Sequence, residues 1–484
     1  MTFLKHFVLI SRKQALRIML ALLATTLAAV LSACGGSANV TASTASSPQL
    51  YMSPAVLGAN TSGVSAANYV SASALLSTWS IDDAKNTFAQ VAYGFSATQS
   101  GAQVQFSGGW EAPALQRGFL NLDLTYQCGA GTVYGCTGIT HTPSVPGGWA
   151  FELADQAGGL SQITGSPFAP LVAANSCPSM TTAETFQFVT LPAPLVSTSA
   201  SNLDRWNPQL ETAYGSVDIS ASGTTVTLNN ISQHVLTAYG GGSPGSASPA
   251  SVTGVCSSTV YGHTVSVPAD VTIVDPGNGQ TVTPQALFGI GPSGLLVENN
   301  GATSSAPQSQ YYQNALGAGT GAIGLPKPAS AVNTTSLIGA QYLGFYYGTG
   351  TISGQDWSSA PVSFGFPGGS TACSAFAASI AAQPGTTVYG GDFAKGDPSS
   401  STTGYGNCDF AIDLGAQVGT NYGLYQSATV YVGNGFAGYT GKTYSFPAVA
   451  IAGQLKGKYA LFLIGVDSTG SPNQAWGIYL LQSN

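Results

Sequence analysis

Charge is what this chain of 484 residues has least of. Only 12 Lys and Arg stand beside 19 Asp and Glu, so 6% of positions are charged, against about 25% in an ordinary soluble domain. So few cations exclude a nucleic-acid binder, which needs clustered Lys and Arg to neutralise phosphates. They also exclude a coiled coil or long helical bundle, whose surfaces are rich in Glu, Lys and Arg. Disorder throughout is excluded for a different reason. The hydrophobic share is 44%, enough for a large core, whereas disorder needs low hydrophobicity with high charge. Histidine numbers only 4 and no Cys-x-x-Cys occurs, so no familiar zinc spacing is present.

What is present in excess is glycine, 62 residues, nearly twice the usual ~7%. Leu120, Leu122, Leu124 and Tyr126 alternate with Asn121, Asp123 and Thr125, the period of a strand with one buried face. Val217–Ser220 and Thr225–Leu228, joined by Ala221-Ser222-Gly223-Thr224, predict a β-hairpin. Further strands are expected at Val271–Val274, Tyr342–Tyr347, Thr429–Val432, Tyr459–Val466 and Trp476–Leu481. The last two flank the turn-rich Asp467–Asn473 and should form a closing hairpin. Helix is confined to short candidates at Ala372–Gln383 and Ala66–Leu76. The expected fold is mainly β, with antiparallel meanders and hairpins forming sandwich or barrel-like units. A β-propeller is the alternative.

The N-terminus carries an address. Lys5, Arg12, Lys13 and Arg17 precede an uncharged, mainly apolar run, Ile18–Leu31, which is shorter than the ~20 residues of a spanning helix. A basic region, a short apolar region and small residues before a cut make a secretory signal. Leu31-Ser32-Ala33-Cys34 resembles the lipobox of bacterial lipoproteins. The resemblance implies a signal peptide over 1–33, cleavage before Cys34, a diacylglyceryl thioether on Cys34 and acylation, palmitate included, of the new amino terminus. Two or more chains anchor stably where one does not. Gly35 stands where an Asp retains related lipoproteins in the inner membrane, which points to the outer membrane. Over its whole length the chain resembles proteobacterial lipoproteins of unknown function, a likeness that supplies a place in the cell envelope and no chemistry.

Beyond Cys34 six cysteines remain: Cys128, Cys136, Cys177, Cys256, Cys373 and Cys408. An even number in an oxidising compartment predicts disulfides, with 15 possible connectivities. Nearest-neighbour pairing gives Cys128–Cys136, Cys177–Cys256 and Cys373–Cys408. Residues 34–50 read as a flexible tether. Gly240–Ser251 reads as a low-complexity loop, and Gly324–Pro328 as a stiffer break. The expected organisation is an N-terminal β region over 51–325, of one or two units, and a C-terminal β domain over 330–484. Thr-Val-Tyr-Gly occurs at Thr132, Thr259 and Thr387, spaced 127 and 128 residues apart. The copies suggest either three related modules or a strand-into-turn motif that this composition repeats by chance.

Several patterns look chemical and carry little. Gly241-Gly242-Ser243-Pro244-Gly245 matches G-x-S-x-G but lacks the following helix that exposes a nucleophile. G-x-G-x-x-G begins at Gly240, Gly289, Gly319 and Gly433, each time without the helix N-terminus that receives a pyrophosphate. Gly159–Phe168 resembles a strand-turn element of lactonase-type propeller repeats, once only. One cluster stands apart: Asp392, Asp397, Asp409 and Asp413 fall within 22 residues, around Cys408 and among Gly and Pro. Together with Tyr405 and Tyr422 they form the candidate ligand-binding region. The acids suit calcium, the one cofactor considered, and the aromatic rings suit a glycan. Against this stand the ordinary readings, Asp residues capping turns and aromatic residues filling a sheet core.

Two functional classes emerge. The first is a non-catalytic, lipid-anchored envelope lipoprotein, attached to the membrane through its N-terminal lipid and binding an envelope protein or a glycan, with no nucleic-acid partner. The second is a lipid-tethered extracytoplasmic hydrolase, which would gather a nucleophile with His141, His234 or His263.

Overall fold

In the computed structural model, residues 49–53, 76–83, 85–93, 102–111, 120–128, 148–153, 156–163, 169–191, 212–237, 246–247, 251–259, 262–268, 273–274, 281–282, 284–303, 321–348, 358–368, 374–380, 387–392, 410–417, 419–433, 443–467 and 474–483 are described. Most of them lie in antiparallel strands. The first eight strands are β1 (Gln49–Ser53), β2 (Leu76–Asp82), β3 (Thr87–Tyr93), β4 (Ala102–Glu111), β5 (Leu120–Cys128), β6 (Gly148–Glu152), β7 (Gly158–Ile163) and β8 (Ala169–Ala173). Each pairs with its successor, and β8 returns to β1, which closes a barrel.

The middle of the chain repeats this plan with additions. Its strands are β9 (Met180–Thr190), β10 (Thr212–Ser222), β11 (Thr225–Thr237), β12 (Ser246–Ala247), β13 (Val252–Thr259), β14 (Gly262–Pro268), β17 (Pro284–Ile290), β18 (Leu296–Thr303) and β19 (Gly321–Pro326). The two-residue strands β15 (Ile273–Val274) and β16 (Thr281–Val282) pair with each other. The sheet order is β10-β9-β19-β18-β17-β14-β13-β11-β12, and β10 also pairs with β11. The pairings therefore run unbroken through eight strands and return to the start. β12 lies beside β11 as an appendage.

The last part closes a third ring: β20 (Gln341–Gly348), β21 (Ser358–Gly368), β22 (Thr387–Asp392), β23 (Phe410–Asp413), β24 (Leu424–Val432), β25 (Tyr444–Leu455), β26 (Lys458–Asp467) and β27 (Gln474–Gln482). A 3-10 turn at Thr334–Leu337 precedes it, and a six-residue helix α1 (Ser374–Ser379) interrupts it. The helix occupies half of the stretch expected between Ala372 and Gln383. Leu76, the end of the other helix candidate, opens β2. Closed rings take the place of propeller blades.

The repeat is one of topology. Thr259 ends β13 and Gly262 opens β14, two adjacent members of the middle ring. Thr387 opens β22, the third member of its ring. The Thr-Val-Tyr-Gly copies thus occupy unequal positions, and the motif does not mark the modules. The copy at Thr132 lies outside the described residues.

Side-chain alternation explains how the rings hold together. In the third ring Tyr342, Tyr346, Leu461, Leu463, Ile478 and Leu480 face inward and belong to one buried cluster. Phe446 on β25 and Trp476 on β27 meet in the same cluster, their ring centroids 6.1 Å apart. The alternate positions Leu343, Phe345, Phe462, Ile464, Tyr479 and Leu481 face outward, yet they are just as buried. They join Val189, Leu287, Val297, Ile323 and Leu325 of the middle ring and Met52, Leu160 and Val172 of the first. Strands buried on both faces read as near-continuous apolar runs, and Tyr459–Val466 and Ala448–Ala452 are such runs.

Polar groups at this junction are matched. The Gln187 side-chain amide, buried on the outer face of β9, donates to Asn421 Oδ1 at 3.0 Å and to the Tyr422 carbonyl at 2.7 Å. Tyr479 Oη donates to the Thr190 carbonyl at 3.2 Å. Gly423 adopts φ +86°, and a Cβ there would lie 2.6 Å from Pro328 Cδ and 2.8 Å from the Ala452 carbonyl oxygen. Only glycine fits. Burying a Leu or Phe contributes about 1.5–3 kcal/mol, so the shared core outweighs any single hydrogen bond at the junction.

Leu325→Ala should therefore lower unfolding free energy by about 2–5 kcal/mol, read from the denaturant midpoint. Val255→Ala, at a side chain 55% exposed, should change it by less than about 0.5 kcal/mol. Equal effects would show that the outward faces do not form a core.

Candidate functional site

Ring closure brings three groups of polar side chains into confined surroundings. The first group is in the lumen of the first barrel. Tyr51 on β1 and Glu152 at the end of β6 are separated by two strands along the sheet, and Tyr51 Oη donates to Glu152 Oε1 through the interior. Tyr51 faces Trp79 across β1 and β2, and both are buried. Gln156, at φ 54° in the turn after β6, donates to Asp83 Oδ2 at 2.9 Å. Asp83 follows β2, so two hairpin turns meet over one barrel mouth.

Glu152 is consequently held neutral. Burial pushes its carboxyl from 4.5 up to about 8, against the hydrogen bond from Tyr51, while the nearby Asp83 carboxylate pushes it the same way as burial. The folded form holds a proton that the unfolded form releases between pH ~4.5 and ~8, so stability falls as pH rises through that window. The loss is at most about 3–5 kcal/mol. Melting temperature should be higher at pH 5 than at pH 8, and Glu152→Gln should flatten the dependence and raise the value at pH 8. A profile that is the same in both proteins would place the titrating group elsewhere.

The second group lies where the first ring passes into the second. The chain leaves β8 at Ala173 and enters β9 at Met180, and this linker is held against the β13–β14 hairpin in two ways. His263 N donates to the Ala174 carbonyl at 2.8 Å, and Cys177 forms a disulfide with Cys256 on β13. Gly262 permits the approach, since a Cβ there would meet the Ala174 carbonyl oxygen at 2.7 Å. His263 Nδ1 lies 3.7 Å from Cys177 Sγ. Cys256 is buried, and Cys177 and His263 are half-buried. A crosslink spanning 79 residues stabilises the fold by about 4–5 kcal/mol on the loop-entropy relation.

The third group is on the outer face of the third barrel. Phe376 of α1 covers Tyr389, Ala411 and Tyr431. Burial first, and then the Asp413 carboxylate, raise the phenols of Tyr389 and Tyr431 above their ordinary range. Asp413 is 8% exposed and accepts from Gly415 N at 2.9 Å. It turns the chain after β23.

The acidic residues of the sequence cluster do not all converge. Asp413 pairs with Thr387 at the start of β22, whereas Asp392 ends that strand opposite Phe364. Five residues of strand separate the two ends, about 16 Å. One calcium ion holds its oxygens at about 2.3–2.6 Å, so no single ion takes both. Asp397, Asp409 and Tyr405 lie outside the described residues, as do Cys34, Cys136, Cys373, Cys408 and His141. Cys128 ends β5. Tyr422 sits in the loop between β23 and β24, and its carbonyl receives Gln187. Among the neighbouring aromatics, Phe410, Tyr425, Tyr431 and Phe446 are buried and serve the core.

Two further features remain, the first at His234, one of the three histidines considered for a hydrolase. Ser232 Oγ and His234 Nε2 lie 3.2 Å apart on β11, with Tyr214 stacked on the imidazole at 5.1 Å. A cavity of about 200 Å3 opens beside the 3-10 turn, lined by Val332, Asn333, Thr334, Gln417 and Tyr425 among others, all uncharged. Tyr425 Oη donates to the Val332 carbonyl at its edge.

The class that these features define is a tandem array of three antiparallel meander rings. The sequence matches no protein-family profile, and it matches no curated protein. Among solved structures it is similar to two mutants of the vaccine antigen Transferrin Binding Protein B (TbpB) from Haemophilus parasuis Hp5. The first, a single mutant, is 8% identical at a TM-score of 0.21, over 84% of this chain and 66% of that one. The second, a double mutant, is 9% identical at 0.23, over 84% and 65%. The chain thus spans slightly less than two thirds of their length. A likeness this slight transfers nothing from those proteins to this one.

Proposed function

We propose that the protein is a lipid-anchored lipoprotein of the cell envelope that binds a protein or glycan partner without catalysis. The observation that carries this is Leu31-Ser32-Ala33-Cys34 directly after a basic and an apolar segment, with a Gly/Ser/Thr-rich tether leading on to β1. A secretory signal ending in a lipid-modified Cys puts the mature chain outside the cytoplasm and beside a membrane. The ring architecture suits display. Strands packed on both faces are rigid, and loops on a rigid scaffold are where binding residues sit. The half-buried disulfide fits an oxidising compartment. Gly35, in place of Asp, supports the outer membrane over the inner.

Metabolic labelling with a palmitate analogue should tag the wild type, and Cys34→Ala should lose the tag. Label that persists removes the anchor from this reading. Gly35→Asp should move labelled protein from the outer- to the inner-membrane fraction.

The Ser232–His234 contact favours a second reading, a tethered hydrolase. A fluorophosphonate probe separates the two. Modification of Ser232 that is lost in His234→Ala supports the hydrolase, and no modification at active-site concentrations supports the binding protein.

A further inference from the structure

We infer that Cys177, Cys256 and His263 form a metal site in the reduced protein, taking one thiophilic d10 cation, Zn(II) or Cu(I), between two thiolates and an imidazole. Their ligand atoms all lie within 4.8 Å of one another. Zinc holds sulfur at about 2.3 Å and nitrogen at about 2.0–2.1 Å, so neighbouring ligands stand about 3.5–3.8 Å apart. His263 Nδ1 is already 3.7 Å from Cys177 Sγ. The two sulfurs must separate, and Cys256 Sγ, no more than 4.8 Å from the imidazole ligand atom, must come to the same spacing, a side-chain rotation once the S–S bond is open.

The frame that aims these side chains does not rest on the S–S bond alone. Cys256 stands opposite Val265 in the β13–β14 ladder, and His263 opposite Ser258. The linker bearing Cys177 is tied to the same hairpin by the bond from His263 N to the Ala174 carbonyl. Opening the disulfide therefore leaves three donors on two fixed strands and one pinned linker. Cys256 is buried, whereas Cys177 and His263 are half-buried, so water can complete a tetrahedron from the open side. Two thiolates and an imidazole select soft or borderline ions over calcium and magnesium.

The chemistry balances with a dithiol as reductant. It delivers two electrons and two protons to the S–S bond and becomes a disulfide itself. The cation then displaces the two thiol protons and binds the neutral imidazole. The site is thus closed to metal when oxidised and open when reduced. This inference is independent of the anchor and of the partner.

The test uses the full chain, reduced with a phosphine under argon and titrated with Zn(II) against a chromophoric chelator. The other cysteines are controlled by the Cys177→Ala/Cys256→Ala protein. Reduced wild type should take one equivalent more than this variant, and oxidised wild type no more than it. His263→Asn, which keeps both sulfurs, should bind the extra ion about tenfold more weakly or worse. Co(II) should give a thiolate charge-transfer band in reduced wild type that is diminished in His263→Asn, and a Cu(I) titration assigns the preferred ion. Equal uptake by wild type and the double variant would overturn the inference, as would undiminished affinity in His263→Asn. Loss of the strand signal in circular dichroism on reduction would overturn it too, because the site requires the closed ring.

Discussion

The outward faces of the rings are the constraint on which the rest depends. An isolated eight-stranded barrel turns apolar residues inward and polar residues to water, and its strands alternate. Here Leu343, Phe345, Phe462 and Ile464 of the third ring turn away from its lumen and remain buried. They can do so only because Ile323, Leu325 and Val189 of the middle ring meet them, while Met52 and Val172 of the first ring enter the same cluster. Each ring thus completes its neighbour's core. The three are coupled energetically, as beads on linkers would not be, and the cost of separating them is set by apolar area.

The same constraint explains the poverty of charge. A strand with both faces covered has no position at which Lys or Glu reaches water, so charge is left to turns and free faces. The polar groups that enter the junction between the middle and third rings are neutral and matched at Gln187 and Tyr479. Glu152 is the exception, an ionisable group in a lumen. It is accommodated by keeping its proton and by sharing hydrogen bonds with Tyr51 and Asp83. That solution makes the first ring sensitive to pH, whereas the other two hold no comparable carboxyl among the described residues.

Strand content was legible because hydrophobic period and turn composition are local. The hairpin around Gly223 and the closing pair β26–β27 could be read from ten or twenty residues each. Closure could not, since it depends on β1 meeting β8 or β20 meeting β27 across more than a hundred residues. The turn between β25 and β26 uses Lys456 and Gly457 at φ 49° and 84°, a primed turn whose usual signature is Asn-Gly or Asp-Gly. At the candidate sites, local crowding misled. Asp392 and Asp413 are near in sequence and are held apart by the length of β22. Cys177, Cys256 and His263 are scattered in sequence and are brought together by a linker folding onto a hairpin. The signal available for the latter was that Cys256 and His263 sit seven residues apart across a turn, a distance that antiparallel pairing converts into contact.

This contrast indicates where function can reside in such a fold. Strands at the ring junctions are committed to two cores at once, so a change of a buried side chain there alters stability before it alters recognition. Freedom remains at ring mouths, on uncovered faces and in the segments that carry the chain from one ring to the next. The first junction shows the advantage of the last of these. Its linker is ordered by the disulfide and by a backbone hydrogen bond, so side chains on it are preorganised, and little conformational entropy is lost when they engage a ligand. The second junction is ordered differently, by Gln187 bonding the Asn421–Tyr422 loop and by a glycine that no other residue can replace. It has no redox-active group among the described residues. The two junctions therefore do different things with the same architecture. One is a fixed weld, whereas the other is fastened by a bond that chemistry can open.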